Sequence, residues 1–186
     1  MPTEYEREIL FGAGEPAPVV VCGFGLAAAG VNAAHAIATR RRAARDGVLL
    51  VGAAGTYDES RHPLGSALVA GSVRCHGIGA GGRTPFQLGF AGEDTFDLVP
   101  ADGPEIVSVA QASRDRRSAA AVAARYPQAA AEEMEGYAVA LAAHRFGVPI
   151  TIVRGISNRA GHRDRGGWLI RHGLEAAGAR LAEVLG

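Results

Sequence analysis

Short β-branched runs alternate with small-residue helices along this chain, and that alternation predicts an α/β fold: a three-layer αβα sandwich around a central, largely parallel or mixed sheet. Two runs set the pattern. PVVVCGFG (18–25) and GVLLVGAAG (47–55) are each apolar, β-branched and closed by glycine, as buried strands are. A third observation is length, since 186 residues suit one domain, 1–186, with a core of useful size. In such sheets ligands sit at the C-terminal ends of the strands.

Each further element follows from its own pattern. Glu4, Glu6, Arg7 and Glu8 mark a charged helix start. Residues 27–44, AAAGVNAAHAIATRRRAA, follow the first strand as a helix, with Arg40, Arg41 and Arg42 covering its solvated end. SALVAGSVRC (66–75) and EIVSVAQ (105–111) are further strand candidates, and the glycine-rich residues 77–96 between them read as a long loop over a site. RDRRSAAAVAARY (114–126) reads as a helix with its arginines outward. AAAEEM (129–134) is a strand, EGYAVALAAHRF (135–146) a helix capped by Gly147, and VPITIVRGIS (148–157) the next strand. Leu169, Ile170, Leu174, Ala177, Leu181 and Val184 recur at helical spacing in the last segment, 167–186, with Trp168 packing beneath it.

Composition excludes several classes of function. Nineteen basic and nineteen acidic residues cancel, so no global field draws the chain to nucleic acid or an anionic membrane. No apolar run reaches the roughly 20 residues that span a bilayer. MPTEYEREIL places acids where a signal peptide has basic and then apolar residues, which with two cysteines, Cys22 and Cys75, predicts a cytoplasmic protein with reduced thiols. Every basic residue is arginine, which removes Schiff-base chemistry and the phosphate-loop lysine. His35, His76, His144, His162 and His172 lie at no metal-ligand spacing, so no metal is expected.

Gly23-Phe24-Gly25-Leu26-Ala27-Ala28 follows a strand and opens a helix, as the dinucleotide fingerprint does. That fingerprint needs an acid at the end of the second strand to hold the ribose. The second strand here ends VGAAGTY and has none, so the glycines read as a tight strand-to-helix turn.

The stretch EEMEGYAVALAAHRFGVPITIVRGISNRAGHRD (132–164) raises a sharper question, because Arg154, Ser157 and Asn158 finish a buried-looking strand. Charged and amide groups in an apolar interior need partners, either each other or a polar ligand. Met134-Glu135-Gly136, Phe146-Gly147-Val148-Pro149 and Arg154-Gly155-Ile156-Ser157-Asn158, with Arg163-Asp164 behind them, resemble the nucleoside phosphorylase/nucleosidase superfamily, and most of all its futalosine hydrolase branch. Weaker matches run through residues 3–10, Gly25 with Asn32-Ala33-Ala34, and the turn Gly52-Ala53-Ala54-Gly55.

The resemblance implies a cofactor-free nucleosidase that forms homodimers or homotetramers and takes a small nucleoside, futalosine, as substrate. Glu135 would accept hydrogen bonds from the ribose 2′ and 3′ hydroxyls, with Met134 packing on the sugar. Asn158 would face the purine near N7, where adenine-cleaving relatives carry aspartate, so asparagine points to a 6-oxopurine. Glu6 would polarise the attacking water, helped by Arg154 and by Ala53, Ala54 and Gly55. Ser157 would steady the strand end, and Ala112 and Ser113 would border the base. Glycosidic cleavage builds positive charge on the sugar and negative charge on the leaving base, which suits carboxylates at the one and donors at the other.

Plainer readings stand beside these. Glu135 also suits a helix first turn, Asn158 a turn bonded to local backbone, and Glu6 a solvated helix start. Phosphorolysis on the same fold would need an arginine beside Gly25, and none is there. A methylthioadenosine/S-adenosylhomocysteine-type nucleosidase of the same fold stands beside phosphorolysis as an alternative, and a non-catalytic nucleoside-binding protein is the further one. The resemblance also implies a strand leading into residues 3–10, most of which is missing because Met1 directly precedes Pro2-Thr3. It implies a longer segment around residues 85–105 as well.

Overall fold

The computed structural model describes residues 1–12, 14, 18–40, 44, 46–89 and 92–185. Its elements are α1 (Glu4–Phe11), α2 (Gly25–Thr39), β1 (Val48–Thr56), β2 (Ala67–Ala70), β3 (Ser72–His76), β4 (Thr95–Asp97), β5 (Glu105–Val109), α3 (Arg116–Arg125), β6 (Ala129–Glu133), α4 (Gly136–Phe146), β7 (Ile150–Arg159) and α5 (Ile170–Leu185), with one 3₁₀ turn at Arg165–Gly167. Seven strands form a single mixed sheet in the order β2-β7-β1-β6-β5-β3-β4. The β1–β7, β3–β5 and β5–β6 pairs are parallel, whereas β2–β7, β3–β4 and the short β1–β6 contact are antiparallel. The mixed α/β sandwich expected from the sequence is what forms.

Alternation along each strand builds the layers. Leu50, Ile106 and Ile152 point to the face covered by α2 and α4, while their neighbours Val51 and Val153 meet Ala177 and Leu181 of α5 and Leu10 and Phe11 of α1. Val107 and Val109 pack with Val122 of α3 on that second face. Alanines on α2 and α4 let the two helices lie close together. Among the described residues no helix is long and apolar enough to cross a membrane.

Several elements differ from the sequence expectation. Residues 18–23 belong to no strand of the sheet: Cys22 N and Gly23 N donate to Met1 O (2.8 Å) and Pro2 O (3.1 Å), and Gly23 and Gly25 turn the chain into α2 with positive φ. That helix stops at Thr39, and Arg41 and Arg42 of the arginine run lie outside the described residues, while Arg40 caps the helix. The strand read over 66–75 breaks at Gly71. β2 and β3 lie near opposite ends of the strand order yet share this one linking residue, so the sheet curls until its ends meet. Gly71 backs directly onto Gly103, and a side chain at either position would collide with the other's backbone. The described part of 77–96 includes β4 and packs near Tyr126 and α3 rather than over the site. In the last helix Leu174, Ala177 and Leu181 are buried, whereas Val184, and Leu169 just before the helix, are exposed.

Candidate active site

A cavity of about 290 Å³ opens where β1, β6 and β7 end, beside the starts of α1 and α4. Into it converge Glu6, Ala53, Ala54, Gly55, Ala112, Met134, Glu135, Ser157 and Asn158. Arg154 and Ser113, the other two residues singled out in the sequence, lie behind its wall.

The strand ends create this convergence. β1 and β7 run parallel in register from Val48↔Ile150 to Ala54↔Ile156, and then the register shifts so that Gly55 faces Asn158. The extra residue, Ser157, is a bulge. In a regular strand Ser157 and Asn158 would point to opposite faces, but the bulge turns both to the cavity. Ser157 Oγ lies 2.7 Å from Asn158 Oδ1 and 3.2 Å from Ala54 O. Asn158 Nδ2 donates to Arg159 O (2.8 Å), which can only accept, so the amide's orientation is fixed with one N–H left for the cavity. The local-backbone role read from the sequence is thus present, and it leaves the amide facing the site.

Glu6 is not a solvated helix residue, since it is 7% exposed at the start of α1. Thr3 and Glu6 form a capping box in which Glu6 Oε2 accepts from Thr3 N (2.9 Å) and Oγ1 (2.7 Å). Its Oε1 accepts from Ala53 N at 3.0 Å. A carboxylate offers about four acceptor positions. Three are filled here, and the remaining one suits a water molecule.

Glu135 precedes α4 but does not cap it. The Glu133 carboxylate does, accepting from Glu135 N (3.0 Å) and Gly136 N (2.7 Å), while Ser108 Oγ accepts from Tyr137 N (2.7 Å). The Glu135 side chain turns instead to the start of α2, where Oε1 accepts from Gly25 N at 3.0 Å. This replaces the first-turn role on its own helix by a tie between two helices. Burial pushes the Glu135 carboxyl up to about 7, against the pull of Arg154 and with the push of Glu133.

Arg154 is the largest fully buried side chain of the core. Its Nη2 bonds Glu133 and lies 3.6 Å from Glu135 Oε2. Burial alone would lower its pKa, but Glu133, Glu135 and Glu6 together hold the guanidinium above its ordinary value. The guanidinium crosses over Gly52, where any Cβ would overlap Nη1 and approach Glu6 Oε1. Glycine is therefore required at 52 by close approach rather than by backbone angle.

Two buried acids of the site's wall escaped the sequence reading. Glu132 and Glu133 are consecutive on β6, so they point to opposite faces, yet both are buried. Glu133 holds Arg154 and Ser108, and Glu132 accepts from Ser113 N (2.8 Å), Ser113 Oγ (2.6 Å) and the Tyr57 hydroxyl (3.1 Å). The signal was available: two adjacent acids in an alanine strand between two helical layers leave one on each buried face, and both need partners.

Trp168 does not pack under the last helix as expected. It lines the mouth of the cavity beside Phe24 and Tyr5, with its Nε1 donating to His162 O at 2.9 Å. Among the described residues no group of three or more His, Cys, Asp or Glu is placed to hold a metal.

Comparison with known proteins gives the chain a family. Residues 101–185 match the family model described as the phosphorylase superfamily. A futalosine hydrolase of Streptomyces coelicolor is 35% identical over 193 residues, covering 88% of this chain and 80% of that protein. Among solved structures, a 5′-methylthioadenosine/S-adenosylhomocysteine nucleosidase from Neisseria meningitidis, in complex with methylthio-immucillin-A, superposes with a TM-score of 0.76 at 19% identity, covering 99% of this chain and 95% of its own. Futalosine hydrolase of Helicobacter pylori superposes with a TM-score of 0.73 at 18% identity, covering 88% and 76%. The fold is thus shared with these nucleosidases, and on sequence the chain belongs to the futalosine hydrolases of the phosphorylase superfamily.

Proposed function

We propose that this protein hydrolyses the N-glycosidic bond of a 6-oxopurine nucleoside, futalosine, releasing hypoxanthine within the cytoplasmic route to menaquinone. One observation carries the reading: Glu6, Glu135 and Asn158 meet in a single cavity, each with hydrogen-bonding capacity left over. Glu6 Oε1 takes a proton from water as it attacks the anomeric carbon. Glu135 accepts from the ribose hydroxyls, whose acidity grows as the ring becomes cationic, and Met134 packs on the sugar. The free N–H of Asn158 donates to the base edge as negative charge develops there. Ala112 borders the base. Arg154 is a positioning residue, orienting Glu133 and Glu135 from behind.

Water rather than phosphate is the acceptor, because the Glu135 carboxylate already occupies the N–H of Gly25 at the head of α2. The exposed Tyr5 and Phe24 at the mouth support closure by a second subunit in a homodimer or homotetramer, checked by light scattering. Incubation with futalosine, inosine, adenosine and methylthioadenosine, with and without phosphate, tests the function by following free base. Hypoxanthine released from futalosine without phosphate is expected. Release that requires phosphate, a preference for adenine nucleosides, or no release at all would each replace this reading.

A further inference from the structure

The acids that line the cavity are concentrated inside it, while its mouth carries the opposite charge. Arg163 and Arg165, on the segment between β7 and α5, both line the opening. Their guanidinium carbons lie 5.4 Å and 5.9 Å from the centre of the Trp168 ring. The indole is itself fixed by its bond to His162 O, so it orients both cations. Asp164, between them in sequence, is committed to the 3₁₀ turn, its Oδ1 accepting from Gly166 N at 3.0 Å. Arg74 and Arg159 pair with Glu105 and Glu59, but among the described residues no carboxylate lies within ion-pair distance of Arg163 or Arg165. Two oriented guanidiniums are left facing solvent at the entrance of a nucleoside pocket.

A purine and a ribose carry no negative charge for two guanidiniums to pair with. We propose that Arg163 and Arg165, held by Trp168, form an anion subsite for a carboxylate carried on the 5′ substituent of the nucleoside. The inference rests on the nucleosidase reading above and adds the feature that selects one nucleoside among many. A phosphate placed directly on the 5′ carbon fits less well, because the sugar end of the cavity is lined by the carboxyl groups of Glu6 and Glu135. A carboxylate at the end of a longer arm, as in futalosine, reaches the guanidiniums and can accept from both in the planar geometry that arginine favours.

The test compares the native protein with R163Q, R165Q and the double variant, all changed at exposed positions. With futalosine, kcat/KM should fall about tenfold for each arginine removed, mainly through KM. With inosine, which has no 5′ extension, it should stay within about twofold. The futalosine rate should also lose its salt dependence in the double variant. Equal losses on both substrates, no loss on either, or inosine 5′-monophosphate cleaved as well as futalosine would overturn the subsite. A second readout does not depend on catalysis. Trp168 is the only tryptophan of the chain, so its fluorescence reports on the subsite directly. Futalosine should perturb it in the native protein and not in the double variant, with the carboxamide analogue of futalosine ineffective in both. If the native protein cleaves no nucleoside, a carboxylate-dependent change still supports the subsite, and an identical response in all variants rejects it.

Discussion

Glu135 answers to two opposed demands, and its titration exposes both. A carboxyl held near 7 by burial is largely neutral in mild acid, where it cannot accept fully from ribose hydroxyls. Because the folded-state pKa stands above the ordinary 4.5, the stabilising contribution is complete below 4.5 and is lost as pH rises through about 7. Catalysis should run the other way, with kcat/KM on futalosine rising as pH passes from 6 to 8. Glu135→Gln is expected to lower turnover by at least ~100-fold, about 2.7 kcal/mol of transition-state stabilisation, and to flatten the thermal-stability decline over that pH range. Parallel kinetics and thermal melts across pH check both; near-normal turnover in a folded variant would remove Glu135 from the sugar site. At Asn158 the fixed amide sets a second expectation. An aspartate there would set an acceptor against Arg159 O unless it held a proton. Asn158→Asp should therefore lose activity on 6-oxopurine nucleosides and narrow the preference over 6-aminopurines, which for the native protein should be roughly tenfold or more. Measured kcat/KM for futalosine and methylthioadenosine with both forms decides it, and a native preference for the adenine nucleoside would sink the base assignment.

Among the elements, β1 is completed on only one side. It pairs with β7 along its length, but opposite β7 it meets β6 only at Gly55 and Thr56 among the described residues. Beside its unpaired edge lies a groove of about 260 Å³, lined by Met1, Val19, Val20, Ile37, Val48 and Leu50 among others. Open strand edges next to apolar surface accept further strands. The strand that the family resemblance places before residues 3–10 is our proposed occupant. An engineered apolar, β-branched extension before Met1 should bury side chains worth roughly 1.5–3 kcal/mol each before ordering is subtracted. The expected result is a melting temperature several degrees higher and, because α1 carries Glu6, a higher turnover. An extension that proteases remove readily and that leaves both unchanged would show that the groove does not take a strand.

Across the whole molecule, local pattern carried most of the fold. β1, β5, β6, β7, α3, α4 and α5 all stand where periodicity and caps put them, and Gly147 ends α4 in the left-handed conformation. What local pattern could not carry was pairing. Residues 18–23 have the composition of a strand, but their hydrogen bonds go to Met1 and Pro2 rather than to the sheet. Gly71 breaks one apparent strand into two because Gly103 backs onto it, a neighbour that no window of sequence contains. In the site, the residues read through the family resemblance line one cavity except Arg154 and Ser113, while Glu132, Glu133 and the rim around Trp168 did not stand out, since their surroundings depend on what lies across the sheet.

The curled sheet carries a kinetic consequence. Its registers join Val48 to Ile150 and Ser108 to Glu133, and its two ends are tied through one glycine, so the native pairings span most of the chain and ordering them is slow. Glu6 reaches its place only when α1 docks beside β1, and Asn158 only when β7 has paired. A partly folded chain thus has no nucleoside site to offer. Saturating ligand should protect amides of β2, β3 and β7 from hydrogen exchange to the same extent, by RT ln(1 + [L]/Kd), since each is released only by global opening. Protection confined to the cavity lining would mean that the ring of strands can come apart piecemeal.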